Sequence, residues 1–359
     1  MTEYLDIDGS VLEGGGQILR ISISLSAILG VPVRVTNIRA GRSKPGLAAQ
    51  HLKGIQLVGD MCQAKMRGVN IGSTEIEFSP GKVRGGDYVA DTHTAGSISL
   101  LLQVALPCAL VADGPVTLQL RGGTNADMAP QVDYMARVFR AQLHAFGADF
   151  ALRVHRRGYF PKGGGHVSAE VTPVRSLRGA CVTQRGDVTA VCGDSFVAGV
   201  LPLKLAHEMA EGAKSELKSV FNNVNINCYK EDRTMAPDNC SGINLWCSLS
   251  SGCVVGAGAL GRRGADARGV GRQAGAELRR AIESGACLDQ HAQDQVILYM
   301  ALAEGKSRVR VGEITLHTKT AMHIAELIAK IKFEVQLDGD QNIIECTGLG
   351  FTNRNLPPE

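Results

Sequence analysis

Residues 14–38 read GGGQILRISISLSAILGVPVRVTNI, and this stretch decides how the chain is built. Three glycines make a turn. Ile18, Ile21, Leu25 and Ile28 then recur at helical spacing, Gly30 stops the helix, and Val31 to Ile38 reads as a strand. The same unit returns along the chain. Gly96 leads into the aliphatic run Ile98 to Val111 and then into Val116 to Leu120. Met128 opens another copy, with Val132, Met135, Val138, Phe139 and Leu143 on one face, a stop at Gly147, and strands near Phe150 to Val154 and His166 to Val171. A partial copy closes the chain: Asp294 to Leu302 as helix, Val309 to Leu316 as strand, Ala321 to Ile331 as helix and Lys332 to Leu337 as strand. Repeats of this kind imply an α/β (α+β) architecture in which helices pack on sheets.

From Cys181 to about Ile282 the texture changes. A β-rich start (Val188 to Cys192), a charged helix (Leu201 to Leu217), strands around Val224 to Tyr229 and Ile243 to Val255, and a basic helix ending in Arg279 and Arg280 read as a smaller α/β domain set into the larger one. The expected division is therefore 1–181 and 283–359 for a large repeat domain, with 182–282 inserted.

With 359 residues and 44% hydrophobic content the chain can bury a large core, and an aromatic fraction of 4% makes that core aliphatic. The net charge of +3 is the small difference between 38 basic and 35 acidic residues, which excludes a polycationic nucleic-acid coat and leaves room for a local basic groove. No apolar run reaches membrane-spanning length, so no membrane partner is expected. The ten cysteines form no CxxC pair and are expected to be reduced; Cys240, Cys247 and Cys253 fit no common zinc spacing.

Chemistry concentrates in a few segments. In Glu13-Gly14-Gly15-Gly16-Gln17-Ile18-Leu19-Arg20 a glycine turn enters a helix, so backbone N–H groups can approach phosphate oxygens, Glu13 can hold a divalent metal and Arg20 can clamp phosphate. Arg39-Ala40-Gly41-Arg42-Ser43-Lys44-Pro45-Gly46, with Gln50 and His51 behind it, concentrates positive charge after a strand and suits a polyanion, or is a solvated loop. Further glycine pairs follow arginines at Arg84-Gly85-Gly86, Arg121-Gly122-Gly123 and Arg157-Gly158-Tyr159-Phe160-Pro161-Lys162-Gly163-Gly164-Gly165; together they can line an anionic groove, while Gly85 and Gly86 read as a plain hairpin turn. In Leu316-His317-Thr318-Lys319-Thr320-Ala321-Met322-His323, a histidine near a helix start is kept neutral and nucleophilic by the helix dipole, and the residues alone leave His317 and His323 both open.

The segments EGGGQILR at Glu13, IRAGRSKPGL at Ile38, RGYFPKGGG at Arg157 and TLHTKTAMH at Thr315 together resemble the RNA 3′-terminal phosphate cyclases, over nearly the whole chain. The resemblance implies a large domain of repeated helix-and-sheet units with a smaller domain inserted before the last repeat. It implies a ligase that activates an RNA 3′-phosphate end with ATP and closes it to a 2′,3′-cyclic phosphate, through an AMP-histidine at His323 and an RNA adenylate, releasing pyrophosphate and AMP. By the same resemblance Gln103, Pro130, His291, Asp294 and Gln295 surround the nucleotide, Glu13 holds a divalent metal (Mg or Mn), and Arg20, Arg39, Arg42 and Gln50 lie near phosphates. Many members of the family place an adenine-stacking tyrosine where this chain has His291, whose imidazole offers a smaller face. A related branch of cyclase-like proteins lacks the catalytic histidine and serves in ribosome assembly; His323, Glu13 and Arg20 argue against it, and a repeat-built RNA-binding module without chemistry is the third reading. The run from Ile343 to Asn353 looks like animal members of the family, which implies the nucleus (nucleoplasm), otherwise the cytoplasm.

Overall fold

The computed structural model describes residues 3–356. Its first sheet contains β1 (Leu5–Asp8), β2 (Val33–Thr36), β3 (Lys65–Arg67) and β4 (Ile76–Ser79), with helices α1 (Gly16–Leu29) and α2 (Ala49–Cys62) between successive strands. The strand order is β1-β2-β4-β3, parallel between β1 and β2 and antiparallel elsewhere. β5 (Gly86–Asp91), α3 (Ile98–Ala109), β6 (Val116–Gly122), a helix made of α4 (Val132–Tyr134), a π-helical turn (Met135–Phe139) and α5 (Arg140–Ala145), then β7 (Ala151–Arg156) and β8 (Gly165–Val171) repeat the pattern in the order β5-β6-β8-β7. The third instance begins at β9 (Cys181–Val182), is interrupted, and resumes with α8 (Gln293–Leu302), β14 (Lys306–Val311), α9 (Leu316–Ala329), β15 (Phe333–Asp338) and β16 (Gln341–Thr347). Its order, β15-β16-β14-β9, is the same arrangement read from the other edge, with β9 and β14 parallel.

The repeat is therefore βαβαββ, occurring three times. Two of the copies read from the sequence, those opening at Gly96 and Met128, are halves of one unit. The interruption holds β10 (Val188–Ala198), α6 (Lys204–Leu217), β11 (Val224–Lys230), β12 (Cys240–Leu249), β13 (Val254–Leu260) and α7 (Ala267–Glu283), whose strands form a sheet of their own, β11-β10-β12-β13. It falls inside the third unit rather than before it. Val182, expected in the insertion, pairs with Val309 of β14, a two-residue strand too short to leave a period in the sequence. Gly85 and Gly86 make no hairpin: they lie where the chain crosses to the second sheet, and Gly86 pairs with Val116 of a parallel neighbour.

The first helix of each unit, α1, α3 or α8, is the buried one. Every residue of α8 is buried, and in α1 Ser24 Oγ lies within hydrogen-bond reach of the Arg20 and Val104 carbonyls at 2.8 Å, whereas the buried Ser22 hydroxyl has no partner. α1, α3 and α8 enclose a small cavity lined by Gln17, Arg20, Gln103, Phe139, Gln295 and Tyr299. In the insertion α6 and α7 touch backbone to backbone. A Cβ at Gly271 would lie 1.8 Å from the Met209 carbonyl oxygen, so only glycine fits there. Asp289 fastens the insertion to the rest, accepting from Gly256 N–H of β13 at 2.7 Å and from the Tyr134 hydroxyl at 2.7 Å.

Candidate active site

Seven non-glycine residues among those described have positive φ. Gln63 and Lys330 cap the ends of α2 and α9. The other five, Leu12, Asn37, Arg39, His93 and Met128, all lie in loops that lead from a strand into a helix. Such conformations cost about 1–3 kcal/mol each and persist where a site over-determines them. The carboxyl ends of parallel strands are also where open α/β sheets bind ligands. The loops are linked: Gln50 Oε1 accepts from Ser97 N–H at 3.1 Å, and Thr320 Oγ1 of α9 accepts from Glu13 N–H at 3.2 Å.

Four of the expected residues converge around the glycine turn. Gly15 caps α1 without any side-chain bond to the helix N–H groups. A Cβ at Gly16 would meet His51 Nε2 at 2.6 Å and Arg20 NH1 at 3.0 Å, so glycine lets both side chains lie against the backbone. Glu13 Oε1 pairs with Arg42, while Glu13 Oε2 is buried and bonds to nothing. Arg20 donates to Gln17 and has a buried, unpartnered Nε; it makes no ion pair among the described residues. Burial draws its guanidinium below the usual range against the pull of Asp294 and Glu13. Arg39 donates to the Gly46 carbonyl at 2.7 Å, and burial followed by repulsion from Arg42 lowers it too. His51 reports the resulting field. Burial, then Arg20, then Arg39 press its pKa down to about 3, and its Nδ1 accepts from Ala48 N–H at 3.2 Å, which leaves the proton of the neutral ring on Nε2 facing Gly16. A half-buried cation without an ion pair, with its Nε unpartnered, suits an anionic ligand.

The opposite wall comes from the third unit. Gln295 and Gln103 line the small cavity with Arg20, and the Gln293 and Gln295 side-chain oxygens are buried without a donor. Burial pushes the Asp294 carboxyl above its usual range, and the charges of Arg20, His317 and His291 pull against it. His291 sits 2.6 Å from Glu277 Oε1 and edge-on to Tyr134 at 6.0 Å. Burial alone would lower it, yet Glu277 and then Asp289 raise it to about 9, so this ring is a cation at neutral pH. Pro130 is not among the residues lining the small cavity; it is half-buried at the end of the loop before α4 and next to Gln131, which reaches the insertion at the Ile243 carbonyl.

Comparison with known proteins decides what this assembly belongs to. A family model described as RNA 3′-terminal phosphate cyclase matches residues 11–335. A protein of that name from Drosophila melanogaster is 41% identical over 355 residues, covering 98% of each chain. One from Pyrobaculum aerophilum is 39% identical over 345 residues, covering 96% of this chain and 98% of its own. The chain belongs to the RNA 3′-terminal phosphate cyclase family. It is thus a member of a ligase-class enzyme family, and among its described residues no helix is long and apolar enough to cross a membrane.

Within this cyclase fold the two histidines left open by the sequence stand in different places. The strand expected to run to Leu316 ends at Val311, and the helix expected from Ala321 starts at Leu316. The threonines make that segment look β-like, but Thr315 is the N-cap and accepts from Thr318 N–H at 3.1 Å. It is His317, not His323, that has the position at a helix start expected of the nucleophile. His323 lies six residues further, about 9 Å along the axis. His317 acts electrostatically on Asp294, and Thr320, one turn on, bonds the Glu13 loop. His51, Thr320 and Asp289 lie against the expected site residues without having been expected there as ligands: His51 beside Gly16, Thr320 on Glu13 and Asp289 on His291. Only Asp289 leaves a signal, an acidic residue shortly before an apolar helix, where it accepts from His291 and Ala292 N–H at 2.9 and 3.0 Å.

For a divalent ion the chain offers one orphaned carboxylate oxygen, Glu13 Oε2, and no cluster of three or more His, Cys, Asp or Glu side chains among the described residues. That suits an ion held largely by substrate phosphates and water, as magnesium commonly is, and not an all-protein cage.

Proposed function

We propose that the chain converts an RNA 3′-phosphate end to a 2′,3′-cyclic phosphate with ATP as co-substrate, and that His317 is its nucleophile. The observation that carries this is the half-buried, ion-unpaired Arg20, whose Nε is buried without a partner, beside Glu13 and Asp294, with His317 acting on the Asp294 carboxylate from a helix start. An imidazole nitrogen of His317 attacks the α-phosphorus of ATP, the bond to the β-phosphate bridging oxygen breaks, and pyrophosphate leaves. The Asp294 carboxylate favours the positive imidazole that results. AMP then passes to an oxygen of the RNA 3′-phosphate and frees the histidine. A phosphate monoester dianion is a poor electrophile, and this anhydride supplies its leaving group. The neighbouring 2′-hydroxyl attacks the 3′-phosphorus, loses its proton, and expels AMP.

Arg20, Arg39 and Arg42 hold phosphates, Gln50 positions the loop at Ser97, and Gln103, Gln295, Pro130 and His291 surround the base and ribose. A divalent ion on Glu13 would neutralise phosphate charge when bound. The large domain and the insertion from β10 to α7 act as one scaffold in this reading, and the nucleus is the proposed compartment, on the likeness of the Ile343 to Asn353 run to animal members.

The test is incubation of the protein with ATP, magnesium and an RNA carrying a 3′-phosphate. The expected product has an end that phosphatase no longer removes, formed with one AMP and one pyrophosphate per RNA. A folded protein that binds the RNA and leaves the 3′-phosphate open to phosphatase contradicts the reading and favours an assembly factor. Tagged protein excluded from nuclei would contradict the compartment.

A further inference from the structure

We propose that the RNA strand on the 5′ side of the reacting end runs over the open face of the second sheet, with Phe160 stacking on a base and Arg121, Arg153 and Arg156 meeting phosphates. This rests on the RNA-end reading above and extends it to a surface outside the site.

Phe160 is 81% exposed in the β7–β8 hairpin loop. Its neighbour Tyr159 is buried and stacked on Phe196, and Gly163 N–H donates to the Tyr159 carbonyl at 2.8 Å. A rigid, exposed aromatic ring is the recurrent platform for an unpaired base. The loop is next to the candidate site. A Cβ on Gly163 would touch the Thr94 carbonyl oxygen, in the β5–α3 loop that Gln50 fastens at Ser97.

Behind Phe160 lies a basic row. Arg121 pairs in register with His166, and His166 with Arg156 across a bulge that leaves His155 beside them. His155 and His166 stack at 4.7 Å, and their outer nitrogens engage Ser168 and Gln119 at 2.7 Å. Arg121, Arg153 and Arg156 are exposed and make no ion pair among the described residues. Asp91, the register partner of Arg121, accepts instead from His93 N–H at 2.7 Å. Burial first, then His155 and Arg121, lower the His166 pKa. Charge complementarity and continuity with the phosphate-holding arginines favour single-stranded RNA over an apolar partner.

The experiment measures binding of the full chain, without ATP, to a 12-nucleotide single-stranded RNA 3′-phosphate and to a dinucleotide 3′-phosphate, across a salt series. Phe160→Ala should weaken the 12-mer about tenfold. Arg153→Glu with Arg156→Glu should weaken it further and make the salt dependence shallower by about 1.4 in log–log slope, as for two phosphates. Dinucleotide binding, circular dichroism and the Lys65→Glu control on the first sheet should match wild type. Unchanged 12-mer affinity and slope, equal losses for both RNAs, or displacement by an acidic peptide but not by RNA would each overturn the proposal. Failure of cyclisation with the length-dependent binding retained would overturn the catalytic reading and leave this surface standing.

Discussion

The first and third βαβαββ units share a strand order, a parallel strand pair and a buried first helix, yet they bring opposite chemistry to the same site. The first contributes cations: Arg20 on α1, then Arg39 and Arg42 on the loop before α2. The third contributes acid and imidazole: Asp289 and Asp294 around the start of α8, with His291 and His317. Repetition builds the scaffold, and function lies in how the loops have diverged upon it. Burial, with Arg20 and Arg39 adding to it, lowers His51, whereas Glu277 of the insertion and then Asp289 raise His291 against the effect of its burial.

The sharpest way to break this contrast is Arg20→Met, which removes the charge and keeps the bulk. Affinity for ATP, measured by calorimetry, should fall about 10- to 100-fold, the weight of a charge-assisted hydrogen bond. The melting temperature should hold or rise, because a half-buried, ion-unpaired cation is lost. Unchanged affinity would remove the cationic half from the account.

The two histidines predict opposite acid and base limits. For His51 the folded pKa of about 3 lies below the unfolded value of about 6.5, so its contribution to stability is present above pH 6.5 and is lost as pH falls towards 3. His51→Asn should flatten the acid limb of a stability–pH curve, and ATP should raise the His51 resonance midpoint in an NMR titration. For His291 the folded value of about 9 lies above the unfolded one, so stability is full below pH 6.5 and is lost as pH rises through 9. Glu277→Gln should lower the His291 midpoint, and His291→Tyr should abolish the alkaline loss. Identical midpoints for His51 and His291 would erase the contrast between the units. The smallest effect is expected from Thr315→Ala, which removes the cap of α9 and should cost about 1 kcal/mol, or about 2 °C in melting temperature.

Much of the architecture was legible because α1 carries an unbroken helical period between a glycine turn and Gly30. Boundaries were legible where one period dominated and failed where two signals competed. The strand read from Val309 to Leu316 ran past Val311 into the segment where Thr315 serves as a cap and Thr320 as a partner for the Glu13 loop. That misreading displaced the expected helix start from Leu316 to Ala321, while the choice of His323 came from the resemblance and not from the boundary. The insertion's position depended on β9, whose two residues have meaning only once paired with β14. The arginines near Glu13 were visible as a basic segment, but the pairing of Arg42 with Glu13 and the silence of Arg20 Nε are properties of packing.

The most direct measurement of the central claim uses ATP labelled in its α-phosphate, with magnesium and no RNA, followed by denaturation and peptide mapping of wild type, His317→Ala and His323→Ala. The account predicts label on the peptide that begins the helix at Leu316, absent from His317→Ala and retained by His323→Ala. Label lost from His323→Ala and kept by His317→Ala would contradict it.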